Sequence, residues 1–311
     1  MKNNKLIAFI LGVILIAFVS FALNVGFFKR TNQPASKNKK IQVVASFYPL
    51  YFFASQIGGD KVDVANITPS GAEPHDYEPS TQDIAHIERA SILILNGGQL
   101  EAWGDKVKED LKSKNVEVVT AADGLVTQNV QEEGQLMKDP HVWLDPVLAK
   151  NEVQKITQAF IKVDQTNITF YQANEKSLES KLDLLDQSFK AGLQDCQQKN
   201  IVTSHAAFGY VASRYGLNQV PISGLSPDQE PSPKQLADVA QFAKTNNVKY
   251  IFFETLISPK LSETIAKEVG AKTIVFNPLE GLTSDEQSAG KDYLSIQQDN
   301  LANLRVALEC K

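Results

Sequence analysis

The sequence predicts an α/β fold of two lobes, each a mostly parallel sheet flanked by helices, joined by a long connecting α-helix. From residue 41 onward, short β-like runs alternate with helical stretches, which is typical of parallel sheets covered by helices on both faces. The alternation stops between residues 146 and 195, where the sequence is helix-forming and has no convincing strand. A chain of 311 residues is also long enough for two compact lobes of roughly 100–150 residues each.

Eight short runs are predicted to be strands, four on each side of the break. They cover residues 41–47, 62–68, 91–95 and 116–120, and then 201–204, 219–223, 250–254 and 273–276. Helices are predicted at residues 99–114, 233–246 and 259–269. The last two begin with Ser232-Pro233 and Ser258-Pro259, and Ser caps a helix N-terminus well while Pro fits the first helical position.

The helical middle segment sets the predicted domain boundaries. Leu178, Leu182, Leu185 and Phe189 recur every three or four residues, a spacing that predicts an amphipathic helix packed on the core. We therefore predict an N-terminal α/β lobe at residues 41–150, a helical connector at 151–195 and a C-terminal α/β lobe at 196–311.

The first 30 residues are predicted to be a signal peptide or a membrane anchor. Lys2 and Lys5 precede an uncharged, mostly apolar run at residues 6–28, which is long enough to span a bilayer. Ser20 and Ala22 form a small-x-small pair that a signal peptidase could cleave. Because this region has no Cys, a lipid-modified N-terminal Cys is excluded. The polar residues 31–40 are predicted to be a flexible tether, and both interpretations place the protein outside the cytoplasm.

The charge distribution argues against a nucleic-acid-binding protein. Residues 1–40 hold seven of the 31 basic side chains and no acid, so residues 41–311 hold 24 basic and 36 acidic side chains. Nucleic-acid binding needs a basic face, and an acidic surface of this kind mostly confers solubility.

The chain has only two cysteines, Cys196 and Cys310. In an exported protein an isolated pair favours a disulfide, and two unrelated thiols are the alternative. A CxxC metal site is absent from the sequence.

Three of the four histidines occupy similar positions. His75 lies in a Pro- and Gly-rich loop after a predicted strand, His141 lies between two prolines, and His205 ends a predicted strand just before a helical stretch. Open α/β sheets bind their ligands at such carboxyl ends of strands. Each His alone is more often structural, but three in equivalent positions indicate a shared metal ion between the lobes.

Three imidazoles point to a transition metal, because imidazole suits zinc, copper, iron and nickel better than calcium or magnesium. They leave one tetrahedral position for a carboxylate, water or substrate. Glu280, in the loop after the last predicted strand, is the best placed carboxylate, with a solvated loop acid as the alternative. Since ligating His must be neutral, affinity is predicted to fall as the pH drops through about 6.5.

Five further residues near these segments are given other roles. His86 is predicted to be a surface or helix-packing residue, Trp143 to pack beneath the site, and Asp145 to cap a helix. Glu73 and Glu254 are candidates for carboxylates outside the ligand shell or for alternate ligands, since metal-bound His usually donates its second N–H to an acceptor.

Four segments, GAEPHDYEPS, DPHVWLDP, TSHAAFGYVASRYGL and NPLEGLT, resemble the metal-site segments of the metal-specific solute-binding proteins of bacterial ABC importers, in the same order. The run VVASFYPLYFFASQIGGDKV resembles the opening strand and helix of this zinc and manganese family. The resemblance covers about residues 43–310. It implies that His75, His141 and His205 are ligands, that Glu280 is the fourth, and that two α/β lobes are joined by a long helix.

The resemblance also implies a function. Glu in the final loop looks like the zinc branch of the family, whereas Asp in a differently worded loop is typical of its manganese members. We therefore expect a monomer, not an enzyme, that captures zinc, or alternatively manganese, and delivers it to an ABC permease. Many zinc members carry a His-rich loop that residues 123–138 lack. A disulfide tying down the last helix of the C-terminal lobe is consistent with this fold.

Two rival functions use the same sequence features. A zinc hydrolase needs an open fourth position for water and a base such as Glu73 or Glu254, and a ligating Glu280 excludes it. A surface adhesin needs an exposed apolar or aromatic patch, which the sequence does not show.

Overall fold

The computed structural model describes residues 40–132 and 135–311. The predicted signal peptide or anchor at residues 1–30, and all but the last residue of the predicted tether, lie outside the described residues. Within the described part, none of the helices is both long and apolar enough to cross a membrane.

Two four-stranded parallel sheets form the framework, as predicted. The first contains β1 (Ile41–Ala45), β2 (Val62–Asn66), β3 (Ile92–Leu95) and β4 (Glu117–Thr120) in the order β2-β1-β3-β4. The second contains β7 (Asn200–Thr203), β8 (Asn218–Pro221), β9 (Tyr250–Phe253) and β10 (Lys272–Val275) in the order β10-β9-β7-β8. All eight predicted strands are confirmed, with ends that differ by one to three residues.

Helices cover both sheets and link them. They are α1 (Tyr48–Gly58), α2 (Thr81–Ile87), α3 (Gly104–Leu111), α4 (Pro146–Val163), α5 (Ile168–Leu193), α6 (Gly209–Tyr215), α7 (Pro233–Thr245), α8 (Lys260–Val269), α9 (Ser284–Ser288) and α10 (Tyr293–Ala307). The segment between the sheets consists of α4, a 3-10 turn at Gln165–Asn167 and the 26-residue α5. The predicted stripe of α5 is buried, at Leu178, Leu182, Leu185 and Phe189.

One of the two predicted Ser caps is confirmed. Ser232 accepts a hydrogen bond from the backbone of Gln235 and forms a full capping box with it. The cap at Ser258 is wrong, because Pro259 takes up the N-cap position of α8 and has helical dihedrals (φ −74°, ψ −1°) without a side-chain cap. The carbonyl of Pro259 instead accepts the first helical bond from Glu263.

A two-stranded antiparallel hairpin was not predicted. It pairs β5 (Asn129–Glu132) with β6 (Gln135–Lys138) in the stretch that has no His. Tyr210 anchors its base, since the hydroxyl accepts hydrogen bonds from the backbone of Thr127 (3.0 Å) and Gln128 (3.2 Å) and donates to the carbonyl of Asp139 (3.0 Å). The hairpin therefore leads directly into the segment that carries His141.

The two lobes share one hydrophobic core. It joins Val43 of β1 to Phe252 of β9 through the stripe of α5. Tyr293 of α10 stacks on Phe52 (ring centroids 5.6 Å apart) and meets Phe53 edge-on (4.9 Å), both from α1. Because close-packed cores resist deformation, this arrangement opposes a wide separation of the lobes.

The predicted disulfide is confirmed. Cys196, just after α5, is bonded to Cys310, just after α10. Backbone hydrogen bonds reinforce the junction, since Gln198 donates to Leu308 (3.1 Å) and Lys311 donates to Asp195 (3.1 Å). The bond ties the last helix to the end of the inter-sheet segment.

Replacing both cysteines with Ser is expected to lower the free energy of unfolding by about 2–5 kcal/mol, because the bond closes a long loop in the unfolded chain. The sequence separation is 114 residues. Urea denaturation of the metal-free protein measures the change. Reductant should lower the unfolding midpoint of the unmodified protein and leave the double variant unchanged. Equal midpoints for the two oxidised proteins would contradict the expectation.

Candidate metal centre

His75 lies on the loop between β2 and α2, with only 9% of its side chain exposed. The loop is fastened to the second lobe, because Gly71 donates its N–H to the carbonyl of Leu282 (3.1 Å) and the Ser70 hydroxyl donates to the same oxygen (2.5 Å). The backbone N–H of His75 donates to Glu73 Oε1 at 3.3 Å. The first lobe thus delivers one imidazole toward the second.

His141 is fully buried in the short segment between the hairpin and α4. Asp139 holds it twice, with Oδ1 accepting from the His141 backbone N–H (3.0 Å) and pairing with ring Nδ1 (2.8 Å). Trp143 packs against the ring with centroids 5.1 Å apart, and its indole N–H donates to the Pro278 carbonyl (2.8 Å). Nε2 of His141 is therefore left facing the site.

His205 is fully buried two residues after β7. Its Nδ1 pairs with Glu254 Oε1 at 2.6 Å. Its carbonyl accepts hydrogen bonds from the Thr203 hydroxyl (2.8 Å) and the Gln219 amide (3.0 Å). The ring and its backbone are both fixed, so that Nε2 again points away from its support.

Glu280 is 1% exposed in the loop after β10. Its Oε1 lies 3.3 Å from Nε2 of His141, 3.3 Å from Nε2 of His205 and 3.5 Å from Nε2 of His75. Among the residues that the structure describes, neither carboxylate oxygen finds a well-aligned hydrogen-bond partner. A buried carboxylate without such partners is costly, which indicates a group arranged for a cation.

The four predicted residues come together as one cluster. Their ligand atoms all lie within 4.8 Å of one another, and Nε2 of His141 is 3.2 Å from that of His75 and 3.4 Å from that of His205. A tetrahedral zinc site with bonds of about 2.0–2.1 Å separates its ligand atoms by about 3.3–3.4 Å. The measured separations match the edges of such a tetrahedron.

The electrostatics of the cluster pair a carboxylate with protonated imidazole. Burial raises the pKa of Glu280, but the charge of His205 and the closeness of all three imidazoles hold that pKa well below its ordinary value. Burial lowers the pKa of His205, yet the carboxylates of Glu254 and Glu280 raise it by more, to well above the ordinary value. His141 follows the same pattern through Asp139 and Glu280, and its pKa is raised.

The remaining two acidic or basic groups differ from these. Burial lowers the pKa of His75, so this imidazole is neutral near pH 7. Burial and the nearby charge of Glu280 raise the pKa of Glu73 to about 10, so that its carboxyl group is protonated near neutral pH. Glu73 is therefore a neutral neighbour that supports the His75 backbone.

The residues given other roles also take their predicted places. His86 is exposed on α2, outside the cluster. Asp145 caps α4 by accepting from Val147 (2.8 Å) and Leu148 (3.4 Å). Glu254 supports His205 from outside the ligand shell, as proposed for it from the sequence.

Asp139 is the functional residue that the sequence analysis missed. It is fully buried and holds His141 in the same way that Glu254 holds His205. The available signal was its place two residues before His141, since an acid at that distance can reach the second ring nitrogen of a ligating His.

Comparison with known proteins agrees with this geometry. The family model described as "ZnuA: Zinc-uptake complex component A periplasmic" matches residues 43–307. The chain belongs to this family. A ZnuA-family protein of Bacillus subtilis, "High-affinity zinc uptake system protein ZnuA", is 42% identical over 287 residues, which cover 89% of this chain and 90% of the relative.

Other members of the ZnuA family are longer. "Zinc-binding protein AdcA" of Streptococcus pyogenes serotype M6 is 37% identical over 290 residues, which cover 87% of this chain and 56% of AdcA. The chain therefore spans about half the length of that relative. A solved structure, "Crystal structure of the Zn(II)-bound ZnuA-like domain of Streptococcus pneumoniae AdcA", is 38% identical with a TM-score of 0.76 and covers 87% of this chain and 99% of that one.

Proposed function

We propose that this protein captures one zinc ion between its lobes through Nε2 of His75, His141 and His205 and a carboxylate oxygen of Glu280. The observation that carries the proposal is the spacing of the four ligand atoms, which lie 3.2–3.5 Å apart along the five measured edges. Three neutral imidazoles and one carboxylate give the bound ion a net charge of about +1. Asp139 and Glu254 offset this charge from behind two of the imidazoles.

Zinc fits this donor set better than manganese. Borderline imidazole nitrogen suits zinc, while manganese prefers sites made mainly of oxygen ligands. The cluster offers three nitrogens and only one carboxylate close to them. The zinc named for the relatives supports the same choice.

Capture is favoured over hydrolysis. A hydrolytic zinc site keeps one coordination position open for water. Here Glu280 Oε1 lies at the fourth corner, at nearly equal distances from the three imidazole nitrogens. With Glu280 as a ligand, no position remains for an attacking water.

The proposal extends to delivery of the ion. We propose that the protein acts as a monomer outside the cytoplasm, held by a signal anchor or released after signal cleavage, and passes zinc to an ABC permease. The family description as a periplasmic component of a zinc-uptake complex supports this step. The shared core of the two lobes limits the proposed opening for release to small movements.

Metal competition tests the proposed function. Residues 40–311, stripped of metal with a chelator, are offered equimolar zinc and manganese, dialysed and measured by elemental analysis. One equivalent of zinc per chain with little manganese is the expected result. Retention of manganese over zinc would overturn the metal assignment, and retention of neither would overturn capture itself.

Zinc binding near pH 7 is expected to release about one to two protons per ion, because ligating imidazoles must be neutral. The raised pKa values of His205 and His141 mean that these rings bind protons in the metal-free protein. Affinity should therefore rise with pH through a range above the ordinary His value, not only below it. Calorimetry in buffers of different ionisation enthalpy counts the protons. Buffer-independent enthalpies would contradict this prediction.

A further inference from the structure

The loop that carries Glu280 contains a backbone conformation that a leucine rarely adopts. Leu279 has φ +60°, in the left-handed region, and is fully buried. Such a conformation is unfavourable for a residue with a Cβ and persists only where its surroundings impose it. The bend immediately precedes Glu280, so whatever holds it also sets the direction of the Glu280 side chain.

Asn277 closes this bend. Its side-chain oxygen accepts a hydrogen bond from the backbone N–H of Leu279 at 2.7 Å. Its side-chain nitrogen donates to Thr255 Oγ1 (3.1 Å) and Glu286 Oε1 (2.9 Å). The amide group is thereby fully engaged, and it fixes the two residues between itself and Glu280.

Asn300, on α10, holds Asn277 in turn. Its side-chain oxygen accepts from the Asn277 backbone N–H and its side-chain nitrogen donates to the Asn277 carbonyl, both at 2.8 Å. Asn300 is 1% exposed, although it lies in the middle of a helix. Only an amide side chain supplies a donor and an acceptor side by side for such a double bond to one peptide unit.

The same face of α10 also holds the segment that carries His141. The Tyr293 hydroxyl donates to the carbonyl of Trp143 (2.5 Å), and the Gln297 amide donates to the carbonyl of Leu144 (3.1 Å). Tyr293, Gln297 and Asn300 are spaced by four and three residues, which aligns them along one side of a helix. One rigid helix therefore contacts two of the four ligand segments.

We propose that Asn300 is a positioning residue for Glu280. Through Asn277, it keeps the bent loop in the conformation that places the carboxylate at the fourth corner, at a distance from His141 that α10 sets. Preorganisation of this kind strengthens metal binding, because the loop need not be ordered when the ion arrives. The inference rests on the proposed function, since it assigns a role within the same site.

The experiment combines Asn300→Leu with Glu280→Gln. Zinc affinity is measured by competition with a chelator for the unmodified protein, each single variant and the double variant. Loss of a residue that orients a ligand typically weakens metal binding about 10- to 100-fold, so Asn300→Leu should weaken zinc at least about tenfold. In the Glu280→Gln background the same substitution should change affinity by less than about twofold, because coupled residues are not additive.

Asn303→Leu is the matched control. Asn303 lies nearly one turn further along α10 and donates a similar hydrogen bond to the Val275 carbonyl (2.9 Å), at the end of β10. Its replacement should leave zinc affinity unchanged. If Asn300→Leu does not fold, as judged by circular dichroism of the metal-free protein, Asn300→Ser is carried through the same cycle.

The outcomes separate the inference from the proposed function. Absence of zinc binding by the unmodified protein would overturn the proposed function. Zinc binding that Glu280→Gln weakens but neither folded Asn300 variant affects would overturn only the positioning role. Equal losses from Asn300→Leu with Glu280 and with Gln at position 280 would also overturn it, because the effect would not act through the carboxylate.

Discussion

Replacing Glu280 with Gln is expected to weaken zinc binding by two to three orders of magnitude while the protein remains folded. Structural zinc sites with four ligands bind with about 10–16 kcal/mol, so one ligand accounts for about 3–4 kcal/mol, and each 1.4 kcal/mol is tenfold in affinity. Glu280 is the only anionic member of the cluster. Its loss removes the strongest Coulomb attraction to the ion as well as one bond.

Part of this loss should be offset in the metal-free protein. Because Glu280 raises the pKa of His205 and His141, the variant holds its ligand protons less tightly and releases fewer on binding zinc. The deficit in affinity should therefore be smaller at pH 6 than at pH 8. Chelator competition at the two pH values measures both effects.

Glu263→Gln is the control for this substitution. Glu263 is exposed on α8 and makes the same change of charge far from the ligand cluster. It should bind zinc as the unmodified protein does. Unchanged affinity of Glu280→Gln, with zinc still bound to the three imidazoles, would remove Glu280 from the ligand set.

Replacing His141 with Ala is expected to produce the second large effect, a loss of affinity on the order of 100-fold or more by the same share of the binding energy per ligand. Nε2 of His141 lies within 3.4 Å of the other three ligand atoms. Its removal therefore leaves the other three ligands without the atom that lies closest to all of them. It also leaves a cavity beside Trp143, which lowers the stability of the metal-free protein.

Thermal unfolding with and without zinc separates these consequences. Ligand that binds only the native state stabilises it by about 2.7 kcal/mol at 100 times Kd, and this zinc-dependent increase should disappear in His141→Ala. His86→Ala, which removes an exposed imidazole outside the cluster, should keep the full increase. A zinc-dependent shift that survives in His141→Ala would exclude His141 as a ligand.

Most of the framework was predictable because it depends on local pattern. Buried parallel strands are short apolar runs, and each of the eight appears as such in the sequence. The hairpin was missed because its strands, such as Gln135–Lys138, are short and largely exposed, so they lack the apolar alternation of a packed sheet. Ser258 illustrates a second limit, because a cap depends on which residue first adopts helical dihedrals.

The ligand set was predictable to a similar extent. Three His at equivalent strand ends point to a common site by topology alone, whereas Glu280 stood out through its loop position and the family resemblance. Asp139 and Asn300 were beyond reach, because their roles depend on which backbone and ring atoms the fold brings within 3 Å of them. Hydrogen-bonded support of this kind has no periodicity in the sequence.

The distribution of the ligands over four loops links metal capture to the integrity of the whole molecule. Consecutive ligands are 66, 64 and 75 residues apart, so the unfolded chain holds them at low effective concentration and chelates zinc poorly. Loss of the ion and loss of tertiary structure should consequently form a single transition. A dye that fluoresces with free zinc would then report, without any label on the protein, the fraction of molecules that have unfolded.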